Sequence, residues 1–395
     1  MVVTTERDEG GVFIGSLGSE ERRKILDVSS NALIAEGYLL YIRNNNLVAQ
    51  KFDPGKEELS GEPATVAEQV QYVDRYGTGN FSASQSSLLV YQSQVSSGSG
   101  MLVMYNSKGV ELQQVGPAGV YDDPVFSPDG KRLAFTLYGR PGDRGDARGD
   151  VWIAELARGT ISRFTFSPNE EDDPVWTPDG LNIIYSDVGE IALKSSSGIG
   201  DKRVLYSSKR DKVPTDISSD GKYLLFCDFN TKTGRDIWAL PMTDDPKPIP
   251  VAVSQFAELS GHFSPDGRWI AYGSNETGRF EVYVRSFPSN TGKWQISTEG
   301  GSLPQWDASG LAVHFLDSKG RLMMVSITSA GTSIHAGAPT VLFQTKNRSS
   351  GNSPGHIYDV SADGKRFIIS EDKYRKDSSE PLDLIVNWSA DLNKK

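Results

Sequence analysis

DDPVFSPDGKRLAF, residues Asp122 to Phe135, decides how this chain is read, because the same pattern returns five more times. The copies are DDPVWTPDGLNIIY (Asp172 to Tyr185), VPTDISSDGKYLLF (Val213 to Phe226), LSGHFSPDGRWIAY (Leu259 to Tyr272), SLPQWDASGLAVHF (Ser302 to Phe315) and HIYDVSADGKRFII (His356 to Ile369). NFSASQSSLLVYQS (Asn80 to Ser93) and NALIAEGYLLYIR (Asn31 to Arg43) are weaker copies. The turn glycines Gly130, Gly180, Gly221, Gly267, Gly310 and Gly364 stand 50, 41, 46, 43 and 54 residues apart. Those steps bracket the length of a four-stranded propeller blade.

Within each copy an apolar run enters a turn and an alternating run leaves it, as in Leu133 and Phe135 or Ile270 and Tyr272, the period of a half-buried strand. Asp-Gly between them predicts a two-residue hairpin loop, since glycine takes positive φ without strain and aspartate tolerates it. Third strands follow as DVWIAEL (Asp150 to Leu156), DIWALPM (Asp236 to Met242), EVYVRSF (Glu281 to Phe287) and RLMMVSI (Arg321 to Ile327). Fourth strands follow as ISRFTF, KRVLYS, KPIPVAV and KWQISTE. A blade cannot bury both faces alone, so blades stack, and closing the ring removes the exposed ends.

The fold class expected is all-β: one closed β-propeller over residues 1–395, of about eight four-stranded blades, with seven as the alternative. The blades would run over 31–79, 80–120, 121–170, 171–211, 212–256, 257–300 and 301–350. Residues 351–395 with 1–30, through HIYDVSADGKRFIIS, PLDLIVNW, GVFIGSL and RRKIL, would make a last blade completed by both termini. GSEERRKIL (Gly18 to Leu26) is the one doubtful stretch for helix.

Composition agrees with a soluble chain of short strands: 37% hydrophobic, 23% charged, 40 Gly and 20 Pro in 395 residues. A net charge of −10 and a pI near 5.1 argue against a nucleic-acid partner and favour a basic protein, a cation or a neutral ligand. Cys227 is the one cysteine, so no disulfide can form within the chain. The most apolar stretch, Ala32 to Ile42, is too short to span a bilayer. MVVTTERDEGG carries no signal-peptide pattern, which fits either a cytoplasmic protein or a piece of a longer chain.

The F/W-S/T-P-D-G core resembles the WD40-like repeat of periplasmic TolB and of the propeller domains of prolyl-oligopeptidase-type enzymes. GVFIGSLGSEERRKIL, LVAQKFD, DVWIAELARGTISRFTF, GRFEVYVRSFP and GKWQISTEGG further resemble the C-terminal, extracytoplasmic propeller of membrane-anchored bacterial serine/threonine kinases. The resemblance implies a sensor or protein-interaction domain, periplasmic or extracytoplasmic. No glycine-rich phosphate loop, H-R-D or D-F-G segment is present, so no kinase activity resides in these residues.

Candidate chemistry centres on acids. Asp122 and Asp123, with Asp172 and Asp173 after Glu170 and Glu171, lead into first strands that would line the channel, and Asp216 and Asp359 lie at comparable positions. Such carboxylates suit Ca²⁺ or a basic peptide; the alternative is that they cap turns and bond their own backbone. His262 is the histidine nearest the expected axis. His314 should point out of its strand, and His335 and His356 stand isolated. Gly351 to Gly355 (GNSPG) matches G-x-S-x-G, yet its flanks are loop and no helix follows, so a nucleophile elbow is not expected. GRPGDRGDARGD (Gly139 to Asp150) reads as a long charged hairpin loop. The tryptophans read as core between blades. The expected function is non-catalytic binding of a protein or small molecule at the channel face by a monomer. The alternatives are a propeller lyase or hydrolase using channel carboxylates, and a regulatory propeller of a peptidase.

Overall fold

The computed structural model describes residues 2–6, 11–15, 21–28, 30–43, 46–68, 70–73, 78–92, 100–138, 148–230, 234–346, 355–371, 382–390 and 392. Its regular structure consists of antiparallel strands. The chain divides into two compact units, Gly98–Tyr374 and Met1–Ser97 with Arg375–Lys395.

The larger unit holds six blades, two of them joined in one seven-stranded sheet. Blade 2 is Glu171–Trp176, Asn182–Asp187, Glu190–Ser195 and Arg203–Ser207. Blade 3 is Lys212–Ile217, Tyr223–Asn230, Gly234–Pro241 and Ile249–Ala252. Blade 4 is Glu258–Phe263, Trp269–Ser274, Glu281–Ser286 and Lys293–Gln295. Blade 5 is Ser302–Trp306, Ala312–Leu316, Arg321–Ala330 and Thr340–Gln344, with Ser333–Ala336 folded back on the third strand. Blades 1 and 6 share the long strand Glu111–Phe126. Its second half pairs with Arg132–Tyr138, which leads to Gly149–Glu155 and Thr160–Arg163. Its first half pairs with Gly100–Asn106, which pairs in turn with Arg366–Glu371 and so with Tyr358–Val360.

Packing closes this unit into a ring. Each sheet alternates which face a side chain takes, so every blade offers one apolar face to each neighbour. Phe164 and Val151 of blade 1 meet Trp176 and Tyr185 of blade 2; Ile184 of blade 2 meets Leu224 and Phe226 of blade 3. Leu225 and Ile237 of blade 3 meet Phe263 and Tyr272 of blade 4; Trp269 and Val284 of blade 4 meet Trp306 and Phe315 of blade 5. Leu316 and Phe343 of blade 5 meet Tyr358, Phe367 and Val103 of blade 6. Leu102, Met104 and Ile368 of blade 6 meet Phe135 and Leu133 of blade 1. The closing strands are far apart in sequence, Val103 opposite Ile369. Bringing such ends together costs roughly 5 kcal/mol of chain entropy. Burial of two or three fully enclosed apolar side chains, at about 2 kcal/mol each, offsets that. Leu102, Ile368 and Phe135, all 0% exposed, supply it.

The ring differs from the expected one. Six blades close it, and the lacing is between 355–371 and 100–119, not between 351–395 and 1–30. The predicted blade 80–120 divides: in the smaller unit Phe81–Ala83 pairs with Leu88–Gln92, which pairs in turn with Leu382–Val386. Val2–Glu6, Gly11–Gly15 and Arg22–Leu26 form a sheet of their own, so GSEERRKIL ends in a strand. Ala32–Ala35 to Glu58–Ala67 make a four-stranded sheet inside the predicted 31–79. The physical reason is burial on both faces: Met101 through Tyr105 are all buried, as are Phe367 through Ile369. Strands of that kind need sheet on either side, and each finds it in the other's blade.

The repeated turn is also built differently. Ser127 N and Arg132 O close the ladder at 2.9 Å, which leaves four loop residues where two were expected. Gly130 takes φ +65° and donates its N–H to Ser127 O at 2.8 Å. The aspartate instead satisfies polar groups: Asp129 Oδ1 accepts from Ser127 Oγ (2.6 Å) and Lys131 N (3.1 Å), while Ser127 Oγ accepts from Arg132 N (2.9 Å). Thr177 with Asp179, Ser218 with Asp220, Ser264 with Asp266 and Ser361 with Asp363 repeat the pair. These contacts hold Asp129, Asp179 and Asp363 below the usual carboxylate range, and bring Asp220, which also meets Lys222, to about 2.

Candidate functional site

One column of the repeat places a residue near the end of every innermost strand: Val125, Val175, Asp216, His262, Gln305 and Asp359. Four of the six are polar, and three of those, Asp216, Gln305 and Asp359, staple blades together. Asp216 Oδ2 accepts from Phe263 N of the next blade at 2.7 Å, and Asp359 Oδ2 from Phe126 N at 2.7 Å. Gln305 Oε1 accepts from Val360 N at 3.2 Å, while its Nε2 donates to Tyr358 O at 2.7 Å. The other oxygen of each aspartate accepts the N–H of its own following residue, Ile217 at 2.8 Å and Val360 at 2.7 Å.

His262 departs from this role. Its Nδ1 lies 3.4 Å from Asp216 Oδ2 and its Nε2 2.9 Å from His356 Nε2. Burial works against its protonation, but the charges of Asp216 and Asp359 outweigh that and leave its pKa raised. Burial and the neighbouring His262 drive His356 well below the ordinary histidine value. Burial lifts Asp359 to about 6 despite the N–H donors of Phe126 and Val360 and the nearby His262.

A recess of about 280 Å³ opens at this ring and is lined by residues of all six innermost strands and the turns that follow them. Phe126, Trp176, Phe263 and Trp306 contribute rings, and Pro128, Pro178 and Pro265 contribute rim. Its charged or titratable lining is Asp216, Asp307, Asp359 and His262, with no lysine or arginine. Arg132 stacks 4.5 Å from the centre of the Trp176 ring, whose Nε1 donates to Val125 O at 3.2 Å.

Asp122, Asp123, Asp172 and Asp173 do not line this recess. Asp123 and Asp173 do converge, as adjacent blades were expected to make them, but on the chain itself. A Cβ on Gly355 would lie 2.0 Å from Asp123 Oδ1 and 2.9 Å from Asp173 Oδ1, and Asp123 Oδ1 accepts from His356 N at 2.7 Å. Both aspartates take positive φ (+50° and +54°) at a bulge, a conformation aspartate tolerates better than most residues. Asp122 Oδ1 accepts from Asp123 N at 3.1 Å, and Asp172 is 3% exposed. Among the described residues no group of three or more His, Cys, Asp or Glu is set to hold a metal ion, so the Ca²⁺ reading gains no site here.

Two histidine expectations change. His314 is buried beside Phe367, ring centres 5.3 Å apart, and burial lowers it to about 4; it points into the core. His356 is not isolated, since the ring brings it to His262. Residues 351–354 of GNSPG and 139–147 of GRPGDRGDARGD lie outside the described residues. Trp176 and Trp306, read from the sequence as core between blades, line the recess, and Gln305, which shares a repeat column with Asp216, His262 and Asp359, was missed as a staple between blades.

No protein-family model matches the chain. The uncharacterized peptidase YuxL of Bacillus subtilis (strain 168) is 24% identical over 39% of this chain and 29% of that protein, so the match spans less than a third of that relative. TolB from Agrobacterium tumefaciens superposes with a TM-score of 0.53 at 19% identity, covering 69% of this chain and 97% of that one. TolB from Acinetobacter baumannii gives 0.45 at 15% identity, covering 84% and 78%. The likeness is one of fold: the chain carries a TolB-type β-propeller. No helix among the described residues is long and apolar enough to cross a membrane.

Proposed function

We propose that the six-bladed unit is a non-catalytic recognition module whose recess seats a segment of a partner protein. The observation that carries this is the recess itself, one small concavity to which every blade contributes. Its volume is at the foot of the range of ligand pockets, about 300–1,000 Å³, which suits one anchoring side chain from a larger partner. The resemblance of the segments quoted above supports placing such a module in a bacterial signalling or envelope system, outside the cytoplasm.

A second reading has one observation in its favour. Asp216 beside His262 Nδ1 is the arrangement of a histidine base with its orienting carboxylate. Against it, His262 Nε2 is directed at His356 rather than at a substrate position. The test is selection of a displayed random 12-residue peptide library on the full chain, followed by binding to Ala308→Trp and Ala362→Trp, which fill the exposed rim. Peptides that bind the unaltered protein and lose at least tenfold on both variants support the recess; peptides indifferent to both refute it.

A further inference from the structure

The recess has a one-sided chemistry. Its lining combines aromatic rings and prolines with Asp216, Asp307, Asp359 and His262, and holds no lysine or arginine; His262 is the one lining group there that can carry positive charge. Each oxygen of Asp216 and Asp359 accepts one backbone N–H. A carboxylate offers about four acceptor positions, so capacity remains on both groups. Asp307 is more fully used, its Oδ1 accepting from Leu311 N and Ala312 N and its Oδ2 from Ser309 Oγ. Two carboxylates in a concavity with low-dielectric walls focus a negative potential there. Aromatic faces add to it, because the ring quadrupole attracts cations. Arg132 and Arg366 already occupy faces of Trp176 and Phe126 from outside the recess, at 4.5 and 5.6 Å. Phe263 and Trp306 also reach the recess, each mostly buried between blades and presenting only part of its ring to an incoming group.

We propose that the recess takes the basic side chain of a partner segment, a lysine ammonium or arginine guanidinium, with its aliphatic stem against Phe263 and Trp306 and its charge against Asp359 and Asp216. This rests on the recess being the binding site, and it adds the chemistry of the anchor. A neutral apolar anchor would desolvate the remaining acceptor positions of the carboxylates without filling them; an acidic one would add repulsion to that cost. Lysine and arginine also suit the geometry, since their long stems reach down an apolar wall while the head stays polar.

The test uses the full chain and five peptides, acetyl-Gly-Ser-Xaa-Ser-Gly-amide, with Xaa lysine, arginine, norleucine, citrulline or glutamate, titrated with tryptophan fluorescence as readout. Lysine and arginine peptides should bind at least tenfold more tightly than norleucine and citrulline, and the glutamate peptide least. Raising salt from 50 to 500 mM should shrink the difference. Asp359→Asn keeps the acceptor for Phe126 N and should remove most of the preference. Because that position also staples the ring, Ala362→Lys serves as a second variant: it sets a competing cation on the exposed rim, touches no staple, and should have the same effect.

Equal affinity for lysine and norleucine peptides, lost on Ala308→Trp, would overturn the basic anchor and leave the recess reading standing. Binding of all five peptides undiminished on Ala308→Trp would overturn both. Absence of binding by any peptide up to 10 mM would overturn the basic anchor.

Discussion

Nε2 of His262 lies 2.9 Å from Nε2 of His356, a residue ninety-four positions further along the chain. Two imidazole nitrogens at that distance share one proton, so the rings cannot titrate independently. His262 faces Asp216 and Asp359 as well as His356, whereas among the described residues the carboxylate that meets His356 is that of Asp123, which accepts its backbone N–H. His262 should therefore take the proton first.

A two-dimensional NMR titration of the ring signals from pH 3.5 to 8.5 checks this order. One histidine, lost in His262→Gln, should titrate above the ordinary 6.5, His314 near 4, and His356 far below 6.5. The raised His262 stabilises the fold below about pH 6.5, and that support disappears as pH rises through its folded value. His314 and His356 act oppositely: the unfolded chain takes up their protons near pH 6.5 and the folded one does not, so they cost stability as pH falls. A His356 signal that moves before that of His262 would contradict the assignment.

Glu258 begins the innermost strand of blade 4, is 4% exposed, and accepts from Ser254 Oγ at 2.5 Å. Burial, with Asp236 nearby, lifts it to about 7. A folded-state value above the unfolded one means that its contribution is lost as pH rises through 7, at a cost of about 3 kcal/mol once it is fully ionised. Glu258→Gln should thus gain on the parent protein as pH rises from 5 to 7 and level off between 7 and 8.5. Thermal melts of both proteins across that range decide it; a constant difference would refute the account.

The turn aspartates work in the other direction. Asp129, Asp179, Asp220 and Asp363 are held low by Ser127, Thr177, Lys222 with Ser218, and Ser361. Groups depressed in the folded state support it above the unfolded value and stop doing so as pH falls through the folded one. Between about pH 4 and 2 the melting temperature should fall steeply, and less steeply when all four are asparagine. Parallel acid-side curves for the two proteins would refute this.

Asp359 joins the last blade of the ring to the first through Phe126 N. Asp359→Ala removes the acceptor and should cost about 1–3 kcal/mol in urea unfolding, whereas Asp359→Asn keeps one and should cost much less. Equal losses would mean that the carboxylate charge, not the staple, matters.

All six blades and all six apolar interfaces fall within Gly98–Tyr374. Residues 98–374 expressed alone should melt cooperatively. Removing 98–119 as well takes the outer half of blade 6 and should abolish that transition. If both pieces melt alike, the lacing described here is wrong.

The sequence by itself determined the strand pattern, the repeat and the position of each turn. Those follow from alternation over six or seven residues and from Ser/Thr-x-Asp-Gly contacts within one loop, all local. It also marked Asp216, His262 and Asp359, because a repeat column can be read without a structure. Tertiary structure alone decided which strand completes each blade, that the ring closes at six, and that Asp123 and Asp173 converge on Gly355. It also decided that His262 meets His356. Each of these joins residues dozens to hundreds of positions apart, and pairing across such distances is set by which two-sided apolar strands bury one another, a competition that no local stretch of sequence records.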